Sequence, residues 1–322
     1  MRPIRLGIVG TGKISAQLCD ALRHLPALCA TALLSRDPAR GASFAEENGI
    51  GALYTEEDAF LSSDIDAVYI ATPNCLHAEG AIAAARAGKH VLCEKPFATR
   101  YEDAMRMYRE VDKQGVVMLE AMRPLHDPFF QILTEALPRI GRLTRAHLIY
   151  CQYSSRYDAF LRGEILRAFD PTYHNAALLD IGVYPVALSA ALFGLPHGIE
   201  ATCEFLHNGF EGQGEATLDY GEFSVTVTYS KTRNSQRPSV IYGEEGEISF
   251  LQPNAPRALT LHLYGGKQQA LPHAPAENNM LHELAAFADL IRRGERLHPF
   301  RKISLDTVCI LDAIRKKTGI VF

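Results

Sequence analysis

The sequence lacks the cysteine pattern of a disulfide-bonded or zinc-binding protein. Its 322 residues include seven cysteines, an odd number, and no two of them are spaced as C-x-x-C. Small secreted domains carry paired cysteines, whereas zinc sites carry closely spaced ones. We therefore expect reduced, mostly buried thiols and a cytoplasmic protein.

Long runs of apolar residues and of like charge are also missing. The apolar run at residues 6–9, which follows Arg2 and Arg5, is too short for a signal peptide and ends in glycine. No stretch approaches the roughly 20 apolar residues of a membrane-spanning helix. The 33 basic and 37 acidic residues give a formal charge of -4 without a long run of one sign, which does not favour a nucleic-acid partner. The remaining expectation is a small-molecule ligand, with no membrane and no nucleic acid.

The first 122 residues alternate short apolar runs with helical patterns. The run Ile4–Val9 is followed by a glycine turn and an amphipathic stretch at 14–25. Further strand-like runs lie at Leu28–Leu34, 67–71, 90–93 and 116–119. Parallel strands need long crossover connections, which are usually helices. The pattern predicts an α/β domain over residues 1–122 with a doubly wound parallel sheet.

Residues 123–322 differ from the first 122 in their pattern of predicted elements, because strand-like segments follow one another without helices between them. These segments lie at 143–154, 204–206, 215–220, 223–230, 240–242 and 247–250. Tyr220-Gly221-Glu222 is a plausible hairpin connection, and helices are predicted at Met280–Arg293, ending at Gly294, and at 305–317. We predict an α+β domain over residues 123–322 with a large, mostly antiparallel sheet.

The first strand-to-helix turn has the pattern Gly10-x-Gly12-x-x-Ser15. It departs from the dinucleotide fingerprint at its third position, where serine replaces glycine. The turn precedes a helix whose N-terminal amides can hold a pyrophosphate, and Gly12 allows the backbone to approach it. A glycine turn without a ligand is the alternative. The predicted phosphate-binding residues are Gly10, Thr11, Gly12, Lys13 and Ile14.

The end of the second strand predicts the choice of cofactor. An acidic residue there would accept hydrogen bonds from the ribose 2'-hydroxyl of NAD, but the chain has Ser35 followed by Arg36, with Asp37 one position further on. An arginine can pair with a 2'-phosphate. We therefore favour NADP, with NAD as the possible second cofactor; the alternative is that Arg36 is a solvated loop charge.

Three motifs, taken in order, carry a resemblance to a known family. They are Ala71-Thr72-Pro73-Asn74-x-x-His77, Glu94-Lys95-Pro96 and Asp180-Ile181-Gly182-Val183-Tyr184. Together they resemble the glucose-fructose oxidoreductase/inositol dehydrogenase/rhizopine catabolism (Gfo/Idh/MocA) family. The similarity extends to Glu120-Ala121-Met122-Arg123, to residues 153–157 and to Asn278-Asn279-Met280. It implies an NAD(P)-dependent oxidoreductase acting on a sugar, polyol or related hydroxylated small molecule.

Lys95 is the expected catalytic lysine. It follows a predicted strand and so lies at the carboxyl edge of the sheet, where open α/β sheets bind ligands. Its ammonium would stabilise a developing alkoxide during hydride transfer, and burial would lower its pKa. The alternative is an ordinary surface lysine.

The resemblance implies that Asp180 and Tyr184 contact the same substrate hydroxyl as Lys95. Tyr184 stands where inositol dehydrogenases carry histidine, as in the glucose-fructose oxidoreductase and dihydrodiol dehydrogenase branches. It would be the proton donor or acceptor, its pKa lowered by Lys95 from about 10. The two residues are four apart on a segment predicted to be helical, hence on one face; the alternative for Tyr184 is packing within a buried helix.

The resemblance also implies the nicotinamide side of the cofactor site. Pro73 and Asn74 line it, with His77 close by, and Arg123 reaches either the cofactor or a substrate oxygen. Thr72 and Glu94 are also predicted to bind the cofactor. His77 can equally be a structural histidine at the start of a helix. We predict no metal site, because no His/Asp/Glu set has metal-ligand spacing, and the resemblance implies at least a homodimer formed through the open face of the second sheet.

One departure from the family pattern concerns substrate choice. Relatives usually have two glycines where this chain has His174-Asn175-Ala176-Ala177, and side chains there would narrow or reshape the pocket. Two other functions remain open: a cofactor-binding regulator without turnover, and glycoside cleavage through transient oxidation.

Overall fold

The computed structural model describes residues 2–322, so that only Met1 lies outside the described residues. The chain forms two compact units. The first contains the residues up to Ala121 together with Glu277–Leu305, and the second contains Met122–Ala276 and Asp306–Phe322. The sequence predicts a division after residue 122; in these units Met122 lies with the second and Glu277–Leu305 with the first.

Helices and strands account for most of both units. The helices are α1 (Lys13–Leu22), α2 (Pro38–Asn48), α3 (Glu57–Leu61), α4 (His77–Arg86), α5 (Tyr101–Gln114), α6 (Arg123–His126), α7 (Pro128–Ala136), α8 (Tyr157–Leu161), α9 (Val183–Phe193), α10 (Met280–Arg293) and α11 (Pro299–Thr318). The strands are β1 (Ile4–Val9), β2 (Leu28–Leu34), β3 (Ala52–Tyr54), β4 (Ala67–Ile70), β5 (His90–Glu94), β6 (Met118–Ala121), β7 (Leu143–Cys151), β8 (Gly198–Phe205), β9 (Glu211–Asp219), β10 (Ser224–Ser230), β11 (Ser239–Gly243), β12 (Gly246–Leu251), β13 (Arg257–Leu263) and β14 (Gln268–Ala270).

The first unit contains a six-stranded sheet with the order β3-β2-β1-β4-β5-β6, and every pair is parallel. The predicted doubly wound α/β domain is confirmed. Strands β4 and β6 are buried along their whole length, which is expected where helices cover both faces of a parallel sheet. The order reverses between β1 and β4, the position at which such sheets bind ligands.

Helix α10 explains why a late segment of the chain belongs to the first unit. Its apolar face, with Met280, Leu284 and Phe287, is completely buried and packs in one cluster with Leu6 of β1 and Leu18 of α1. The helix ends at Gly294, whose φ of 64° is the left-handed conformation that favours glycine. The predicted bounds of this helix and its glycine stop are confirmed.

The second unit contains an eight-stranded sheet with the order β14-β13-β12-β11-β7-β10-β9-β8. It is mostly antiparallel, as predicted, but one internal pair, β7 and β10, is parallel. The predicted hairpin joins β9 to β10, with the N–H of Tyr220 donating to the carbonyl oxygen of Phe223 at 3.0 Å. Along β10, Val225, Val227 and Tyr229 are buried, and the residues between them face the opposite side of the sheet.

Two expectations about composition can be compared with the structure. All seven cysteines are unpaired, but only Cys19 and Cys93 are buried and the other five are partly exposed, so the expectation of mostly buried thiols is wrong. Within residues 2–322, no helix is both long enough and apolar enough to cross a membrane.

Candidate active site

The glycine turn lies directly after β1 and leaves a space in front of α1. Gly10 has a φ of 110°, and a Cβ atom at this position would lie 2.7 Å from the carbonyl oxygen of Ala71. A Cβ atom at Gly12 would meet nothing within 4 Å. Gly12 is the N-cap of α1 and no side chain caps this helix, so its first amides are available to an anion. These features fit a pyrophosphate group.

The side chains around this turn divide into buried and accessible ones. Ser15, the residue that replaces the third glycine, is completely buried on α1, where a small side chain is needed. Thr11 and Ile14 are partly exposed and Lys13 is exposed. The accessible residues are therefore those that the sequence assigns to the phosphates.

The loop after β2 uses its acidic residue to start a helix. The Asp37 carboxylate accepts a hydrogen bond from the N–H of Arg40 at 3.1 Å and so caps α2. The Ser35 hydroxyl donates to the carbonyl oxygen of Asp37 at 2.8 Å. Arg36 is exposed at the end of the strand. The acidic side chain of this loop is thus engaged in capping α2 while Arg36 is exposed, which favours a 2'-phosphate over a ribose hydroxyl.

Arg40 is a second arginine at this end of the sheet, and the sequence reasoning missed it. Its Nη2 atom donates to the carbonyl oxygen of Thr11 at 3.0 Å, which joins α2 to the glycine turn. Arg40 follows Arg36 by four residues, and that spacing at the start of a helix was the available signal.

The loop after β4 carries Thr72, Pro73 and Asn74, all partly exposed, and leads into α4 through a 3-10 turn at Asn74–Leu76. His77 begins α4 and is buried. Its Nδ1 and Nε2 atoms lie 2.8 Å and 3.0 Å from the carbonyl oxygens of Pro96 and Thr72. Burial lowers the pKa of His77. Its ring thus connects the loops that follow β4 and β5, which agrees with the structural alternative for this residue.

Lys95 directly follows β5, at the carboxyl edge of the parallel sheet, and is partly exposed. Its neighbour Glu94 is buried. The Glu94 carboxylate accepts hydrogen bonds from the Tyr69 hydroxyl at 2.6 Å and from the N–H of Lys95 at 3.2 Å. Glu94 therefore fixes the backbone from which the Lys95 side chain extends.

A second buried carboxylate supports the same loop and was not anticipated as a site residue. Glu120 of β6 accepts hydrogen bonds from the N–H of Phe97 at 3.0 Å and from the hydroxyl of Ser304 at 2.7 Å. Burial raises the pKa of Glu120 to about 7, although both hydrogen bonds and the charge of Lys95 act in the opposite direction. The available signal was a glutamate within an otherwise apolar strand.

Asp180 and Tyr184 lie in the second unit. Asp180 belongs to a π-helical turn, Leu178–Gly182, which continues directly into α9, and Tyr184 is the second residue of that helix. The ring of Tyr184 packs edge-on against Tyr150, with 5.6 Å between ring centroids. The predicted helical segment is confirmed, and its π-helical turn is a distortion often found at functional sites. Arg123, the first residue of α6, also belongs to this unit and is partly exposed.

Two charged residues hold the Asp180 turn. The Nζ atom of Lys231 lies 2.9 Å from Oδ2 of Asp180. The Glu211 carboxylate accepts a hydrogen bond from the N–H of Leu178 at 2.9 Å, and burial raises the pKa of Glu211 to about 7. Neither residue has a sequence motif, because its role depends on how β9, β10 and the turn pack.

The segment that departs from the family glycines is held by its own side chains. His174 has a φ of 55°, in the left-handed region, and its ring stacks on Phe322 with 5.0 Å between ring centroids. The Asn175 side chain donates to the carbonyl oxygen of Arg167 at 2.7 Å. Ala176 and Ala177 are fully buried, so their methyl groups contact protein atoms. Of these four residues, only His174 and Asn175 are partly exposed.

Potential metal ligands do not cluster among residues 2–322: no group of three or more His, Cys, Asp or Glu side chains could hold an ion. His298 is buried, and its Nε2 atom lies 2.8 Å from the carbonyl oxygen of Met118. It therefore connects a loop to β6 within the first unit.

Two family models match this chain. The first is described as "Oxidoreductase family, NAD-binding Rossmann fold" under the name GFO_IDH_MocA and matches residues 4–121. The second, "GFO/IDH/MocA C-terminal domain", matches residues 137–249. The two matched ranges include Lys95 and the Asp180-to-Tyr184 segment.

Individual proteins are similar to the chain over almost its whole length. scyllo-Inositol 2-dehydrogenase (NADP(+)) IolU of Bacillus subtilis is 35% identical over 99% of this chain and 98% of its own. Human trans-1,2-dihydrobenzene-1,2-diol dehydrogenase is 26% identical over 99% and 98%. Among solved structures, KijD10, a 3-ketoreductase of Actinomadura kijaniata in complex with NADP and TDP-benzene, is 26% identical, covers 98% of both chains and has a TM-score of 0.87.

Proposed function

Because the chain belongs to the Gfo/Idh/MocA oxidoreductase family, we propose that it transfers hydride between NADP and a carbinol carbon of a cyclic polyol or sugar. The chain is an NAD(P)-dependent oxidoreductase. Its similarity at 35% identity to an NADP-dependent scyllo-inositol dehydrogenase supports a polyol as the substrate class, and the basic loop after β2 supports NADP.

The strongest structural support comes from one edge of the first sheet. The glycine turn follows β1 and Lys95 follows β5, so both lie at the carboxyl ends of parallel strands on either side of β4. Ligands of such sheets bind at this edge, next to the position where the strand order reverses. The residues proposed to bind the cofactor are Gly10, Thr11, Gly12, Lys13, Ile14, Ser35, Arg36, Thr72, Pro73, Asn74, Glu94 and Arg123, with Arg40 added from the structure. His77, the remaining residue of the predicted set, is proposed to act through the two loops that its ring joins.

Three residues of the chain are proposed to act on the substrate. The bound nicotinamide supplies the hydride chemistry. The Lys95 ammonium stabilises negative charge on the reacting oxygen. The Tyr184 hydroxyl donates or accepts the proton of that oxygen, and the Asp180 carboxylate accepts a hydrogen bond from a substrate hydroxyl and orients it. Apart from Arg123, the residues proposed to bind the cofactor belong to the first unit, which also supplies Lys95, and the second unit supplies Asp180 and Tyr184.

Assembly and location complete the proposal: a cytoplasmic homodimer formed through the open face of the second sheet. On β10 and β11 the residues Thr226, Thr228, Val240 and Tyr242 are only half-buried, while the alternate residues are fully buried. Light scattering should give the mass of two chains, and the double variant Thr226→Lys/Val240→Lys should give the mass of one. A monomeric wild type at micromolar concentration would contradict the dimer.

A panel of substrates with both cofactors tests the activity. We expect NADP+ reduction with at least one of scyllo-inositol, myo-inositol, D-xylose and D-glucose, with higher kcat/KM for NADP+ than for NAD+. Analysis of the products should show a ketone or lactone in a one-to-one ratio with NADPH. Absence of turnover with every compound, in both directions, would count against the proposal.

A further inference from the structure

Lys231 is a buried lysine with a specific set of partners. Its side chain is 4% exposed. The Nζ atom lies 2.9 Å from Oδ2 of Asp180 and donates to the carbonyl oxygen of Ala168 at 2.8 Å. It also lies over the aromatic rings of Phe169 and Phe210, 4.8 Å and 5.2 Å from their centroids. The ammonium therefore has a carboxylate, a carbonyl and two ring faces around it.

These partners compensate for the burial of the Lys231 side chain. Burying an ammonium without partners is very costly, and a carboxylate together with hydrogen bonds and aromatic faces offsets that cost. An apolar side chain of similar volume would lie against the same two rings, Phe169 and Phe210, which pack on each other with 4.9 Å between centroids. Buried ion pairs are weak evidence for a purely stabilising role, because apolar replacements are often as stable.

The other member of the pair is accessible. The Asp180 side chain is 43% exposed, ten times the fraction of Lys231. The buried Lys231 thus binds one oxygen of the Asp180 carboxylate, while the Asp180 side chain remains accessible to a ligand. Lys231 itself is too deeply buried to contact a substrate, so any effect on the reaction has to act through Asp180.

The backbone at Lys231 is fixed by the neighbouring strand. Lys231 directly follows β10, and its N–H donates to the carbonyl oxygen of Gly212 on β9 at 2.9 Å. Glu211, the residue before Gly212, accepts the N–H of Leu178 at the start of the π-helical turn. The turn is therefore held at two points. The Glu211 carboxylate binds the backbone of the turn, and the Lys231 ammonium binds the side chain of Asp180.

We propose that Lys231 is a positioning residue for catalysis: its buried ammonium fixes the rotamer with which the Asp180 carboxylate meets the substrate hydroxyl. This inference rests on the role given to Asp180 in the proposed function. Removing this ammonium removes a 2.9 Å contact that restricts the carboxylate, and small displacements of a reacting or orienting group reduce kcat strongly.

A double-mutant cycle separates this role from a structural one. The variants are Lys231→Met, Asp180→Asn and the double variant, assayed as the complete protein with NADP+ and scyllo-inositol or the panel compound that the wild type oxidises fastest. Lys231→Arg retains the charge. Lys317→Met is the matched control, since Lys317 also pairs with a carboxylate of the second unit, Glu200 at 3.5 Å, but at the surface. Thermal unfolding is recorded for every variant.

The cycle has distinct outcomes. We expect Lys231→Met to lower kcat roughly 10- to 100-fold, to leave KM for NADP+ unchanged, and to cause no further loss when Asp180 is already Asn. Lys231→Arg should recover most of the rate, and Lys317→Met should match the wild type. An equal loss of rate in both backgrounds, or a lower melting temperature with unchanged kcat, would overturn the inference.

A fully active Asp180→Asn variant would instead contradict the role of Asp180 itself, and so would overturn the inference together with that part of the proposed function. If Lys231→Met does not fold, Lys231→Gln takes its place in the same cycle.

Discussion

Glu120 accepts a hydrogen bond from the backbone N–H of Phe97 at 3.0 Å, two residues beyond Lys95. The buried carboxyl group thus supports the loop that carries the proposed catalytic lysine. Its other oxygen accepts the hydroxyl of Ser304, so both sides of the group are bound within the first unit. The cost of burial appears in its pKa, which is raised to about 7 from an ordinary value of 4.5.

We predict that Glu120 makes the stability of the protein depend on pH. The folded chain binds this proton more tightly than the unfolded chain, so the contribution is complete below about pH 4.5 and is lost as the pH rises towards about 7. The difference between the ordinary pKa of 4.5 and the raised pKa of about 7 corresponds to about 3 kcal/mol of folding free energy. Between these pH values the free energy of unfolding of the wild type should fall by about that amount relative to Glu120→Gln, measured by urea denaturation. If the free energy of unfolding changes with pH equally in the two proteins, the Glu120 carboxyl does not titrate in this way.

The two glycines of the first turn should respond differently to alanine. Gly10→Ala places a Cβ atom 2.7 Å from the carbonyl oxygen of Ala71 at a φ of 110°, so it should destabilise the protein by about 1–3 kcal/mol. Gly12→Ala adds a Cβ atom in open space and should leave the melting temperature unchanged while raising the Kd for NADP+ by at least about tenfold. Calorimetric titration and thermal unfolding measure both effects. Normal NADP+ affinity in Gly12→Ala would mean that the pyrophosphate does not approach this turn.

Arg36 and Arg40 are predicted to select NADP. Replacing either arginine by alanine should lower kcat/KM for NADP+ roughly 10- to 100-fold, since a charged hydrogen bond contributes about 1.5–3 kcal/mol. The value for NAD+ should change little. Arg23→Ala is the matched control, because Arg23 lies at the far end of α1 from the glycine turn. An unchanged ratio of the two cofactors in both variants would contradict the assignment.

The parts of the fold with local sequence signals were predicted from the sequence. The strand, glycine turn and helix at the start of the chain follow from apolar periodicity and turn chemistry, and Gly294 marks the end of α10 because its conformation favours glycine. The position of Lys95 after β5 follows from the same rules. By contrast, β3 has three residues and β14 has three exposed ones, so neither shows the alternation that identifies a strand.

The missed site residues depend on contacts distant in sequence. Lys231 follows an ordinary alternating strand, and its burial becomes evident only with Asp180, Phe169 and Phe210 around it. The position of Glu120 likewise depends on Ser304, which is 184 residues away. Side chains that act through a partner from another element have no local pattern, whereas residues at strand ends and turns do.

The two lysines at the ends of β5 provide the most direct test of the central claim. Lys95 follows the strand at its carboxyl end, and Lys89 precedes it, donating to the carbonyl oxygens of Ser63 and Ile65 at 3.1 Å and 2.9 Å. The measurement is kcat for hydride transfer, with NADPH binding followed by fluorescence in the same samples. We predict that Lys95→Met lowers kcat by at least about 100-fold with NADPH still bound, while Lys89→Met stays near the wild-type rate. A Lys95→Met protein that binds NADPH and turns over at the wild-type rate would contradict the assignment of Lys95 as the catalytic lysine.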